Sequence, residues 1–391
     1  MSNEYGKKRN ASIEILRIVG CVLVIWAHMQ LSITENGYFY KGRLFIASVI
    51  ADDVPIFLLI TGFFLFRKNQ RSQDILDEFK RKLLGFLEKI WIPSVILVVI
   101  TCILTPIIDG TSSWSNIGIW WNQINWDSLV GFVFKNSASG YSGHLWYICF
   151  YLKMLIAFPL LKFLCQDIRS LNIIRRIYLG IAFGNILVKD LAYFYGGNSL
   201  IDLSSLSLDE DFTYIILGFE IYLIGKNALK KWSKKKVLLG SAVAYFLGLI
   251  SKMGLQALLY YMIGADAERR FMGLECLACY LTSASLLLFF SNIEWNFSGK
   301  LEKVILFLAQ KTMLIYLFHM MVLMGTNGVR EKILNLFHNG TTPFTALGYY
   351  VFSGGVVFGV SLIVAVIFDF VYNKVECKIK NILKIISEGK K

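Results

Sequence analysis

Apolar residues in this chain gather in long unbroken runs, without the alternation of a half-buried strand. Ten runs stand out, near residues 13–33, 45–66, 90–108, 144–165, 176–196, 212–229, 237–262, 271–291, 305–325 and 345–371. A hydrocarbon core about 30 Å thick takes roughly 20 apolar residues per crossing, so each run is long enough to span it. The pattern predicts an all-α, polytopic integral membrane protein of about ten transmembrane helices. One further stretch, residues 67–89 running into SQDILDEFKRKLLGFLEKIW (72–91), sets Phe79, Leu83, Phe86 and Leu87 at helical spacing beside Lys80, Arg81 and Lys82. That spacing predicts an amphipathic helix lying on the inner leaflet, a lipid anchor or a holder of a phosphorylated ligand.

Composition agrees with the runs. Of 391 residues, 56% are hydrophobic and only 17% charged, whereas soluble domains average about 25% charged. No internal repeat and no linker rich in Pro, Gly or Ser divides the chain, so residues 1–391 read as a single membrane domain with a short basic tail, 372–391. The first run is too long for the apolar core of a cleavable leader and contains Arg17 and His28, which keeps it as the first spanning helix.

The net charge of +13 changes the picture through its distribution. Basic residues concentrate in alternate loops: Lys7 to Arg9, Arg67 to Lys89, Lys162 to Arg176, Lys226 to Lys236, Lys300 and Lys303, and the tail from Lys374 hold 28 of them. The intervening loops hold seven, Lys41, Arg43, Lys135, Arg269, Arg270, Arg330 and Lys332. The positive-inside rule places both termini in the cytoplasm, and the charge reads as topology, with no nucleic-acid partner. The outward segment 109–143 carries Trp114, Trp120, Trp121, Trp126 and Tyr141, an interfacial aromatic belt or a sugar-stacking surface. The seven cysteines lie mostly within apolar runs, giving no disulfide framework. Cys276 and Cys279 have metal-ligand spacing, but zinc needs four ligands and no second pair follows; helix packing is the expectation, with no metal.

Ionisable groups inside hydrocarbon are costly and point to function. With a rise of about 1.5 Å per residue, His28 lies roughly 16 Å further out than Arg17 on the first helix. Asp52 and Asp53 fall in the outer half of the second span, His144 opens the fourth, and His319 reaches the outer half of the ninth. Three of the four histidines therefore share one depth, with His338 left in a solvated loop. A neutral His28 imidazole oriented by Asp52 or Asp53 makes a suitable general base. Arg17 either snorkels to headgroups or pairs with Glu14. Lys153, mid-helix, needs an anion or a watery path, and Glu220 is a candidate partner. No phosphate-binding loop, dinucleotide fingerprint or nucleophile elbow occurs.

SIEILRIVGCVLVIWAH, with Arg17 and His28 ten residues apart, resembles the first-helix signature of the membrane acyltransferase-3 family. VPIFLLITGFFLF is similar to that family's second-helix Pro-x-Phe-Phe…Ser-Gly-Phe segment, with Thr61 in place of the serine. GHLWYICFYL is similar to its His-Leu-Trp-Tyr segment, and MLIYLFH to its late Tyr-Leu-x-His segment. The resemblance implies an enzyme of the bacterial cytoplasmic membrane. It would take an acyl group from cytoplasmic acyl-CoA, usually acetyl-CoA, to a hydroxyl of a cell-surface glycan or cell-wall polymer, with no permanently bound cofactor. It implies His28 and Arg17 as catalytic residues, with Asp53, His144 and His319 following the motif segments. The family's Arg-x-x-Arg donor element is not reproduced; the nearest residues are Arg81, Lys82 and Lys89. The competing expectation is a transporter of polysaccharide or of a small polar substrate such as serine, along a path lined by Lys153, Glu220 and the outer histidines.

Overall fold

The structure, a computed structural model, describes residues 10–35, 38–66, 72–108, 126–135, 140–195, 209–264, 270–295 and 297–388. The tryptophan-rich stretch 109–125 and Lys7 to Arg9 lie outside the described residues, as do Arg67, Lys68 and Arg71. Helices account for nearly all of the rest: α1 (Ala11–His28), α2 (Lys41–Ile50), α3 (Asp53–Leu65), α4 (Ser72–Phe86), α5 (Ile92–Ile108), α6 (Trp126–Lys135), α7 (Trp146–Leu164), α8 (Arg169–Ala192), α9 (Glu210–Lys231), α10 (Lys234–Ile263), α11 (Leu277–Asn292), α12 (Gly299–Gly325), α13 (Asn327–Leu336) and α14 (Pro343–Glu388). A two-stranded antiparallel hairpin, β1 (Thr34–Glu35) and β2 (Tyr38–Phe39), follows α1. Ten segments among the described residues are helical, long and apolar enough to cross a membrane. An even number of crossings returns the chain to the side on which it began, and the basic loops mark that inner side.

The spans depart from the apolar runs where backbone chemistry intervenes. The first run continues to residue 33, yet α1 ends at His28 and the chain turns into the hairpin. Run 45–66 is two helices, broken at Ala51–Asp52. Pro55 is the cause: it lacks an N–H, and its ring clashes with the carbonyl four residues back, that of Ala51. Neighbouring side chains take over the freed carbonyls, as a break at membrane depth requires. The Cys279 thiol donates to the Ala51 carbonyl at 3.0 Å, and the Lys252 ammonium donates to the Ser48 carbonyl at 3.1 Å. The third span begins well before residue 90, because the amphipathic α4 runs through a π-helical turn, Leu87–Trp91, directly into α5. Glu78 on α4 receives Lys82 at 3.3 Å and Lys162 of α7 at 3.8 Å.

The centre of the bundle is α3, packed against α1, α9 and α11. Two glycines set its closest crossing. A Cβ on Gly62 would stand 1.8 Å from the Ile215 carbonyl oxygen, and one on Gly218 2.2 Å from that of Leu59, so the backbones of α3 and α9 touch as small residues allow. On its other side, α1 packs along α12 as well as α3, which brings the first-helix and ninth-span signatures together.

Candidate active site

Eleven residues amount to three helical turns within about 20°, so Arg17 and His28 project from one face of α1, with Val24 between them. That face borders a cavity of about 530 Å³, whose walls include Arg17, Val24, Phe57, Lys89, Tyr147 and Tyr316. Its inner end is basic and its deeper walls are aromatic. Arg17 is half-buried and holds Glu14 at 3.1 Å, the partner that its spacing predicts.

At the outer end the three expected histidines meet. His28 closes α1, His144 lies in the turn that leads into α7, and His319 projects from α12. The rings of His28 and His319 are 5.0 Å apart between centres, and those of His144 and His319 5.5 Å. His28 is exposed, His144 half-buried and His319 wholly buried. His338 is exposed in its loop, apart from this cluster.

Tyr316 joins the cavity to the cluster. It lines the cavity, its hydroxyl donates to the backbone carbonyl of His144, and its own carbonyl lies 2.6 Å from Nδ1 of His319. Nothing in the residue pattern singled it out beyond its place in the Tyr-Leu-x-His segment. Tyr151, one turn beyond Tyr147 on α7, adds another wall of the same cavity.

The carboxylates are arranged differently from the expectation. Asp52 accepts from Lys252 at 2.8 Å and from the Thr282 hydroxyl, so it belongs to the break between α2 and α3. Asp53 opens α3 and accepts from the adjacent Val54 amide at 2.6 Å. No hydrogen bond joins His28 to either.

Glu220 is not the partner of Lys153. It is buried against Arg175, whose Nε donates to it at 2.8 Å, and Arg175 further binds the carbonyls of Leu164 and Gln166. Lys153 is exposed and feels Asp209 and Asp211 at the outer start of α9. Lys153 and Glu220, both set on the path expected for a transporter, therefore have separate partners. Of the three expected donor-site cations, Lys89 lines the cavity, Lys82 is paired with Glu78, and Arg81 is exposed on α4. Among the described residues no group of three or more His, Cys, Asp and Glu side chains gathers as a metal ion requires.

A family model described as an acyltransferase domain matches residues 10–366 of this chain. No curated protein and no solved structure matches it.

Proposed function

Because the chain belongs to the acyltransferase-3 family, we propose that this multi-pass membrane acyltransferase carries an acyl group, acetyl from acetyl-CoA in the first instance, from the inner side to a hydroxyl on an outer cell-surface glycan or cell-wall polymer. The setting is a bacterial cytoplasmic membrane, and acyl-CoA acts as a substrate. The observation that carries the proposal is the cavity itself: it begins at Arg17 and Lys89 on the basic side and reaches Tyr316, against the histidine cluster.

The chemistry follows from that layout. The phosphates of the donor favour the basic end, and the aromatic walls suit the uncharged arm that carries the thioester. His28, the exposed member of the cluster, removes the proton of the acceptor hydroxyl as its oxygen attacks the thioester carbonyl. The carbon–sulfur bond breaks, the ester forms, and the proton on His28 passes to the departing thiolate. Neither an external oxidant nor a metal is needed for the balance.

Purified protein in proteoliposomes, loaded with radiolabelled acetyl-CoA inside and offered cell-wall polymer outside, tests the reading. The expected result is an alkali-labile label on the polymer, absent with His28→Ala. Failure of label to transfer, or equal transfer by His28→Ala protein, overturns it; substrate flux without ester formation would point to transport.

A further inference from the structure

The general base needs a partner that fixes its tautomer and steadies its charged form, a task performed by a carboxylate in hydrolase triads. Here both carboxylates near the second span are otherwise engaged, Asp52 with Lys252 and Asp53 with the Val54 amide. Another acceptor lies beside His28. The atom 2.6 Å from His319 Nδ1 is the carbonyl oxygen of Tyr316, which can only accept, so Nδ1 carries the ring hydrogen. In a neutral imidazole the other nitrogen is then a bare acceptor. That nitrogen, Nε2, is fully buried and has no hydrogen-bond partner, an arrangement that costs free energy unless something uses it.

His144 has its Nε2 facing the Leu317 carbonyl at 3.4 Å, and its ring centre is 5.5 Å from that of His319. His28 is nearer. Its ring centre is 5.0 Å from that of His319, and a linear bond between two imidazole nitrogens about 2.9 Å apart gives a similar separation of ring centres. The bond requires that the His28 ring turn one nitrogen toward Nε2 of His319.

We infer that His319 is a positioning residue that accepts a hydrogen bond from His28, taking the part of the triad carboxylate with a neutral ring whose tautomer is set by the Tyr316 carbonyl. This rests on the acyl-transfer reading above. The proton taken from the acceptor hydroxyl stays on His28 and returns to the thiolate; His319 accepts a hydrogen bond and gains no proton. It also follows that neutral His319 cannot serve as an oxyanion donor through Nε2.

Two substitutions separate the possibilities. His319→Gln keeps an acceptor oxygen near the Nε2 position, whereas His319→Asn keeps a donor near Nδ1 and loses that acceptor. The expected result is a fall in kcat of about a hundredfold for His319→Asn with the KM for acetyl-CoA unchanged, and recovery of most of that loss in His319→Gln. Equal losses in the two variants, or no loss in His319→Asn, overturn the inference. Nitrogen-15 NMR of histidine-labelled wild-type protein is a check independent of variant folding. A signal assigned to His319 must report the Nδ1–H tautomer, and an Nε2–H signal overturns the inference. Inactivity of the wild-type protein would instead count against the acyl-transfer reading, while the tautomer remains measurable.

Discussion

Lys252 donates to Asp52 across 2.8 Å with both side chains wholly buried, and the pair closes the gap that Pro55 opens between α2 and α3. Removing one member of a buried pair leaves a charge unpaired and costs about 3–5 kcal/mol, whereas replacing both with apolar groups is often nearly neutral. Lys252→Met is therefore expected to lower the thermal midpoint sharply in detergent, with Asp52→Leu/Lys252→Met recovering much of the loss. The recovery should be incomplete, because Lys252 also serves the Ser48 carbonyl. A double variant no better than the single would show that the carbonyl bond outweighs the pair.

The α3–α9 crossing gives a second stability test. Gly62→Ala must push the Ile215 carbonyl away from a distance of 1.8 Å, and Gly218→Ala the Leu59 carbonyl from 2.2 Å. Overpacking of this kind costs about 1–3 kcal/mol. Gly184→Ala on α8, where nothing lies within 4 Å of the new methyl, should be neutral or mildly stabilising, since alanine favours helix over glycine by about 1 kcal/mol. Thermal unfolding of the three variants, side by side, checks the contrast.

Much of this was legible in the residue pattern, for identifiable reasons. Spans could be counted because a run of apolar residues has no other stable home, and the convergence of His28, His144 and His319 followed from depth along helices whose direction the basic loops set. The break at Ala51 was also written in the chain, since Pro55 denies a partner to the carbonyl four residues earlier; the apolar run hid it. Pairings were not legible. Glu220 met Arg175 rather than Lys153, and Lys252, a lone cation in a long apolar run, passed unremarked, because an ion pair depends on how helices are rotated against one another. The His319 tautomer needed coordinates, for it depends on one carbonyl a single turn away.

At the basic end of the cavity, Arg17 and Lys89 offer positive charge to an anionic donor. Lys89→Ala is expected to raise the KM for acetyl-CoA several-fold with little change in kcat, and the difference from wild type should shrink as salt is added, because exposed charges are screened. Arg17→Ala should lower kcat as well, since it also frees Glu14, the partner it holds at 3.1 Å. Initial rates over a range of acetyl-CoA and salt concentrations separate the two effects. A salt-independent defect in Lys89→Ala would argue against a phosphate at that end.

Tyr316 offers the most selective perturbation, because its three contributions come from different atoms. Its ring forms the cavity wall, its hydroxyl holds the His144 carbonyl and its backbone carbonyl holds His319 Nδ1. Tyr316→Phe removes only the hydroxyl. The cavity keeps its wall and His319 its tautomer, while the turn that carries His144 loses one hydrogen bond, worth about 0.5–1.5 kcal/mol and up to about 3 kcal/mol if the carbonyl is left unsatisfied. The expected outcome is a kcat lowered by about tenfold, a KM for acetyl-CoA close to wild type, and a smaller loss than His319→Asn produces. A Tyr316→Phe enzyme as impaired as His319→Asn would place His144 on an equal footing with His319 in supporting the reaction.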